Sequence, residues 1–245
     1  MTPRVRLAHR AVHGAKMLVH RAGFDIYRES FKRRFVYALG LHGVDTVLDI
    51  GANVGQFGQE LRRAGFAGRI VSAEPLSAAY AALQRLSASD SLWTVERAAV
   101  GAAQGTLTMN VAANSVSSSA LPMLARHAEA APQSRYITTE EVPATTVDAL
   151  VERHALSPGS TLLKIDVQGY EQPVLAGAAT TLERFAAVRT EMSLVALYEG
   201  QALFGDILSD LTGRGFELWQ LEPGFVEPST GRLLQADGVF FRTES

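Results

Sequence analysis

The sequence predicts an α/β fold: a doubly wound, mainly parallel sheet of Rossmann-like plan with helices on both faces, preceded by a basic helical extension. Three observations carry this. Strand-like and helix-like runs alternate from residue 46 to about residue 212, the pattern of a parallel sheet covered on both sides. Val47-Leu-Asp-Ile-Gly-Ala-Asn-Val-Gly-Gln-Phe57 joins a short apolar strand, a glycine turn and a helix start. Such a turn brings backbone N–H groups close to a ligand. Third, Asp49, Glu74, Asp166 and Glu191 fall at or near the carboxyl ends of predicted strands, where ligands of open α/β sheets bind. Four acids gathered there repel one another unless cationic or hydroxyl groups meet them.

The elements follow in order. Val5, Ala8, Val12, Ala15, Val19 and Ala22 recur at three-four spacing, so residues 4–22 suit an amphipathic helix. Arg28 to Leu41 reads as a second helix, and residues 1–40 form the extension, residues 41–245 the domain. The first strand runs Thr46 to Ile50 and its helix Gln56 to Ala64. Arg69 to Ala73 is the second strand, stopped by Pro75. Ser77 is expected to cap a helix ending near Leu86. Leu92 to Val100 reads as the third strand, and Thr106 to Val111 alternates like an edge strand. Asn114 to Ser119 is a hydroxyl-rich loop, residues 121–131 are weakly helical, and Pro132 to Glu141 reads as a further loop. A helix opens at Val147 and ends near Leu156. Thr161 to Val167 is the fourth strong strand, and the helix after it carries Pro173 in its first turn and runs to about Glu183. Ala187 to Met192, Phe216 to Leu221 and Gly238 to Arg242 read as strands, with a helix from Gln201 to Thr212 and a Pro/Gly-rich hairpin over residues 222–232.

Composition removes several function classes. The 245 residues suffice for one large domain with a real core. A net charge of −2 gives no overall field favouring nucleic acid. The absence of cysteine excludes disulfides, thiolate nucleophiles and cysteine-ligated zinc, and fits a cytoplasmic setting. No apolar run approaches the roughly 20 residues of a spanning helix, and none near the start makes a signal peptide. Residues 1–34 hold nine Lys or Arg against Asp25 and Glu29. That basic segment either lies on an anionic membrane surface or meets a lipid-linked substrate, or else caps the domain or pairs with a second subunit as a homodimer.

The turn is Asp49-x-Gly51-x-x-x-Gly55, neither the G-x-G-x-x-G of dinucleotide sites nor a phosphate loop ending in Gly-Lys-Ser/Thr. An acid before the turn repels pyrophosphate and suits an ammonium group. Glu74, ending the next strand, can take hydrogen bonds from the hydroxyls of a ribose. A ribose at one end and an ammonium at the other, without phosphates, describe S-adenosyl-L-methionine.

These pieces, with Ser72-Ala-Glu-Pro75, Ala98-Ala-Val-Gly101, the Asn114–Ser119 loop, Lys164-Ile-Asp-Val-Gln-Gly-Tyr-Glu171, Val174-Leu-Ala-Gly-Ala178, Glu191 and Asp237-Gly-Val-Phe-Phe-Arg242, stand in one order over residues 40–243. In that order they resemble the FkbM family of S-adenosylmethionine-dependent methyltransferases. The resemblance implies a class I methyltransferase fold, seven strands with the last antiparallel, and O-methylation of a sugar hydroxyl or related alcohol on a glycolipid, polysaccharide or polyketide product. The acceptor is then a small molecule or glycoconjugate. Gly51, Asn53, Gly55, Phe57, Pro75 and Ser118 join Asp49, Glu74 and Asp166 as expected cofactor contacts.

A sugar hydroxyl is a weak nucleophile and needs a base beside it. Asp166 is the first candidate base. Lys164, two residues earlier on the strand, faces the same side and can pair with it or with Glu191. Glu191 is expected to hydrogen-bond substrate, His127 is an alternative base, Glu171 is expected to brace the Gln168-Gly-Tyr turn, and Tyr170 to line the acceptor side or the core. Two strand-end carboxylates can hold Mg²⁺ only through waters, and with no compact His/Asp cluster no metal is expected. Two rival readings use the same residues: a non-catalytic cofactor-binding partner protein, and a membrane-docking module with the α/β domain as scaffold.

Overall fold

The computed structural model describes residues 31–243. The helix expected over residues 4–22, and most of the basic segment with its expected membrane or subunit contact, lie outside the described residues. Helix α1 spans Phe31–Leu41, followed by β1 (Thr46–Ile50), α2 (Gln56–Ala64), β2 (Arg69–Ala73), α3 (Ser77–Ser87), β3 (Trp93–Glu96), β4 (Ala99–Val100) and β5 (Gly105–Ala112). Then come α4 (Ala125–Ala130), β6 (Tyr136–Thr145), α5 (Val147–Arg153), β7 (Thr161–Ile165), α6 (Glu171–Ala176), β8 (Ala187–Ser193), α7 (Phe204–Gly213), β9 (Phe216–Pro223) and β10 (Gln235–Arg242).

Seven strands form one sheet in the order β3-β2-β1-β7-β8-β10-β9. β10 runs antiparallel to both neighbours, β8 and β9, while the other pairs are parallel. This is the expected seven-stranded class I methyltransferase plan with its last strand reversed. β1 and β7, at the centre, are buried almost throughout, as a strand covered on both faces must be. One core layer packs Leu48, Val71, Leu163 and Val188 under α5, α6 and α7, and the other packs Phe35, Val47, Leu162 and Phe241 under α1 and α2. Among the described residues no helix is long and apolar enough to cross a membrane.

Four expectations need correction. The run Leu92 to Val100 is two strands: β3 stays in the main sheet, while β4 leaves it and pairs with β6. Residues 132–141 are not a loop. Most of them belong to β6, a ten-residue strand pairing antiparallel with β5, so β4, β6 and β5 make a second, three-stranded sheet. The solvent face of β6 is Thr- and Glu-rich, which hides its alternation. Ser77 does not cap α3: the capping position is Leu76, and the Ser77 N–H is satisfied by Glu140 Oε1 at 3.0 Å. The helix after Asp166 is also shorter than expected, closing at Ala176, and the next residue, Gly177, meets the Gly101 carbonyl just past β4.

That meeting brings two of the quoted motifs, Ala98–Gly101 and Val174–Ala178, into contact. A Cβ on Gly177 would sit deep inside the Gly101 carbonyl oxygen, against backbone that cannot yield. Gly177→Ala is therefore expected to cost roughly 2–3 kcal/mol by overpacking, measured as a lowered denaturation midpoint at unchanged slope; a loss under about 0.5 kcal/mol would contradict the contact.

Candidate active site

A cavity of about 500 Å³ opens at the carboxyl ends of β1, β2, β7 and β8, roofed by the Asn114–Ser119 loop and α4. Its floor at one end is the glycine turn. Gly51 (φ 75) is left-handed, and a Cβ there would collide with the Asp166 carbonyl oxygen. Asn53 is left-handed too (φ 47), and its N–H donates to Glu74 Oε2 at 2.8 Å. Glu74 Oε1 accepts the Leu76 N–H at 3.0 Å. The Glu74 carboxylate is thus held by one backbone N–H on each oxygen, with a lone pair of each left over. Burial raises its pKa to about 7, against the lowering pull of those two N–H groups and of Lys164.

Lys164 is the pivot of the central strands. Its ammonium, buried beside Phe57, donates to the Gly51 carbonyl at 3.0 Å, lies 2.9 Å from Asp49 Oδ1 and 3.6 Å from Asp166 Oδ2. Burial opposes the charge, but the Asp49 and Asp166 carboxylates outweigh it and hold the lysine pKa above its ordinary value. Asp49 is fully buried, accepts the Ser72 hydroxyl at 3.0 Å, and does not line the cavity. The ammonium group that Asp49 was expected to meet in a ligand is supplied by the protein's own Lys164. Gly55 also lies off the cavity, facing Leu83, Leu86 and Trp93. Gly51, Asn53, Phe57, Glu74, Pro75 and Ser118 do line it, as do Lys164, Asp166, Tyr170, Glu191 and His127. Lys164 pairs with Asp49 and Asp166 rather than with Glu191.

At the other end β7, β8 and β10 build a polar wall. The Asp166 side chain is 40% exposed. Gln168 (φ 54) and Gly169 (φ 95) turn left-handed after it. The Gln168 carboxamide then bridges two acids, donating to Asp166 Oδ1 at 3.0 Å and Glu191 Oε2 at 3.1 Å. Tyr198 fixes that amide by donating its hydroxyl to Gln168 Oε1 at 2.9 Å. Glu171 accepts the Val167 and Gly169 N–H groups at 3.3 and 3.1 Å, the brace expected of it, and burial raises its pKa to about 7. Gln235 donates to Glu191 Oε2 at 2.7 Å, and Arg189 pairs with Glu222 and Asp237 while stacking on Phe57. Enclosure in protein, then the Asp166, Glu171 and Asp237 carboxylates, lift the Glu191 pKa well above the carboxylate range. His127, 3% exposed, stands edge-on to Tyr198, and burial lowers its pKa.

Gln168, Arg189, Tyr198, Phe225, Gln235 and Asp237 are site residues that reading by motif overlooked. Gln168 and Asp237 sit inside quoted motifs, so the signal was present. Arg189 shares a strand face with Glu191 by period two. Tyr198 and Phe225 carry no signal short of the fold.

The glycine turn, the anchored Glu74 carboxylate and an apolar slot of Leu76, Ala99 and Val100 suit an adenosyl ligand with a free ribose edge. A family model described as a methyltransferase FkbM domain matches residues 49–218. A search of curated protein sequences finds no match. Among solved structures, the chain is similar to magnesium protoporphyrin IX methyltransferase from Synechocystis PCC 6803 with bound S-adenosylmethionine, at 12% identity and TM-score 0.46, covering 99% of this chain and 86% of that one. It is also similar to a TehB-like S-adenosylmethionine-dependent methyltransferase from Corynebacterium glutamicum, at 16% identity and TM-score 0.39, covering 96% and 99%.

Proposed function

The chain belongs to the FkbM family of methyltransferases and is an S-adenosylmethionine-dependent enzyme; from that premise we propose that it methylates a hydroxyl of a sugar or glycoconjugate. The observation that carries this reading is the placement of Asp166. Its carboxylate reaches the cavity beside the glycine turn, with Lys164 below it and the Gln168 amide locking Oδ1. Bound S-adenosylmethionine supplies an activated methyl group on a sulfonium that leaves as a neutral thioether. Gly51, Asn53 and Glu74 would hold the cofactor. Asp166 holds the acceptor hydroxyl in line and accepts its proton as the oxygen gains carbon. Lys164 stands 3.6 Å from the Asp166 carboxylate and helps to position it for that task. The acceptor space sets this polar wall against Met109, Tyr170 and Phe225, and a pyranose has the same two characters, a hydroxylated edge and an apolar face.

Release of S-adenosylhomocysteine in the presence of a panel of glycosides, with mass spectrometry of the products, tests the proposal. Asp166→Asn is expected to lower methylation of the responding glycoside by about 10²–10⁴-fold, the usual worth of a positioned base. A panel without a methylated sugar, or a methyl group found on nitrogen or carbon, would sink the hydroxyl reading. If instead cofactor affinity collapsed in the variant, Asp166 would be a cofactor residue and not the base.

A further inference from the structure

We infer that the acceptor carries a basic amine next to the hydroxyl that is methylated, and that this ammonium group is received by the open oxygen of Glu191 and the imidazole of His127; the inference rests on the reading just given. It follows from which hydrogen-bonding groups of the wall are already used. Gln168 Nε2 has two hydrogens, and both go to carboxylates, Asp166 Oδ1 and Glu191 Oε2. Gln235 Nε2 likewise gives one to Glu191 Oε2 and one to Ser193 Oγ, at 2.7 and 3.2 Å. The Tyr198 hydroxyl hydrogen points between Gln168 Oε1 and the Ser117 carbonyl. Arg189 gives Nη2 to Glu222 and Asp237, and Lys164 is taken up by Asp49 and the glycine turn. The hydrogens of the two amides, of the Tyr198 hydroxyl and of the Lys164 ammonium are thus spent inside the protein.

The acceptors are not. Both amides that reach Glu191 use the same oxygen, and Oε1 takes no hydrogen bond from the described residues. Among the described residues Asp166 Oδ2 has only Lys164, at 3.6 Å. His127 Nδ1 is buried and has no hydrogen-bond partner among the described residues, on a side chain that lines the cavity. Spare acceptors at Glu191 Oε1 and His127 Nδ1, beside amides already committed, call for a ligand rich in N–H. An ammonium brings three donors and a positive charge, where a lone hydroxyl brings one donor.

The charges agree. Glu191 and Asp237 are direct partners across the β8–β10 ladder, and like charges placed opposite each other in a sheet are destabilising. Asp166 and Glu171 stand near enough to Glu191 to repel its charge as well. Burial and that repulsion favour a proton on Glu191 in the unliganded protein, and a cation at Oε1 would relieve the repulsion in the proton's place. An anionic acceptor, such as a uronic acid, would meet it head-on. Neutral His127 is fitted to accept an N–H rather than to compete as a second cation, since burial disfavours its protonation. A metal ion is the other way to relieve such a wall, but among the described residues no group of three or more His, Asp or Glu is placed to hold one.

The test is equilibrium binding to the full chain loaded with S-adenosylhomocysteine, by calorimetry at pH 7. The probes are the methyl glycosides of 2-amino-2-deoxyglucose, its N-acetyl derivative, glucose and glucuronic acid. The free amine is expected to bind at least tenfold tighter than the N-acetyl and plain glycosides, with the glucuronide weakest. In Glu191→Gln that advantage is expected to shrink below about threefold, and in His127→Phe to fall by a smaller factor. Binding of S-adenosylhomocysteine to each variant reports an intact fold. An N-acetyl or plain glycoside binding as tightly as the amine would overturn the inference, as would an amine advantage that survives Glu191→Gln. So would the absence of binding by all four glycosides at 10 mM. An amine preference lost while sugars still bind leaves the hydroxyl reading standing, whereas failure of every sugar removes both.

Discussion

Replacing Lys164 by Met is expected to destabilise the fold by about 3–5 kcal/mol, the usual cost of leaving a buried charge without its partner. The reason is Asp49. It has no exposed surface, Lys164 is the cation paired with it at 2.9 Å, and its remaining help is one hydroxyl from Ser72. Removing the ammonium strands a carboxylate in the middle of the sheet, where it cannot reach water. The same substitution frees the Gly51 carbonyl that Lys164 binds at 3.0 Å, so cofactor affinity should fall with stability. The double variant Lys164→Met with Asp49→Asn is expected to recover at least half of the lost stability, because the stranded charge is then gone. Urea unfolding of the parent, the single and the double variants measures both effects. A single variant within 1 kcal/mol of the parent, or a double variant no better than the single, would show that Asp49 is satisfied in some other way.

The second large effect is one of pH. Glu74, with a pKa near 7, is mostly protonated at pH 6 and mostly ionised at pH 8. If the ionised form holds the ribose hydroxyls, S-adenosylmethionine should bind about tenfold more weakly at pH 6 than at pH 8. Folding responds with the opposite sign. Between 4.5 and about 7 the folded state keeps a proton on Glu74 that the unfolded chain releases, so stability falls as pH rises through that window. Rising pH thus favours the ligand and disfavours the empty fold. Glu171 titrates in the same range, so Glu74→Gln supplies the reference: its affinity should be low and nearly flat in pH. A parent protein whose affinity does not change between pH 6 and 8 would mean that Glu74 is not a cofactor ligand in its charged form.

What could be read from the chain alone follows the physics of each element. Val47 to Ile50 and Thr161 to Ile165 announce themselves because a strand covered on both faces is apolar throughout. The turn at Gly51 is legible because few residues tolerate φ 75. β6 was not legible: only its inner positions, such as Val142 and Thr145, are buried, and its reason to be a strand is β5, whose pairing is set by the fold. β4 was lost for a related reason. Nothing in Trp93 to Val100 says that the chain changes sheets at Arg97, whose guanidinium binds the Pro75 carbonyl and Glu140. Within the site, the shared face of Lys164 and Asp166 follows from strand periodicity. That Asp49 stands beside Lys164, 115 positions away, requires the β1–β7 register. The acidic character of the crevice was therefore visible early, while the identity of the cation that answers Asp49 was not.

The reversed strand β10 has a consequence for how the chain is made. It lies between β8 and β9 in space but follows both in synthesis. Until residues 235–242 emerge from the ribosome, β8 keeps an open edge and β9 has no strand partner among the described residues. Gln235 and Asp237, two members of the acceptor wall, arrive with the same strand. A nascent chain halted just short of it presents an unpaired sheet edge flanked by Leu218 and Val188, the kind of surface that captures other chains. For this protein the closing of the sheet and the completion of the active site are one event, at the end of translation of the domain.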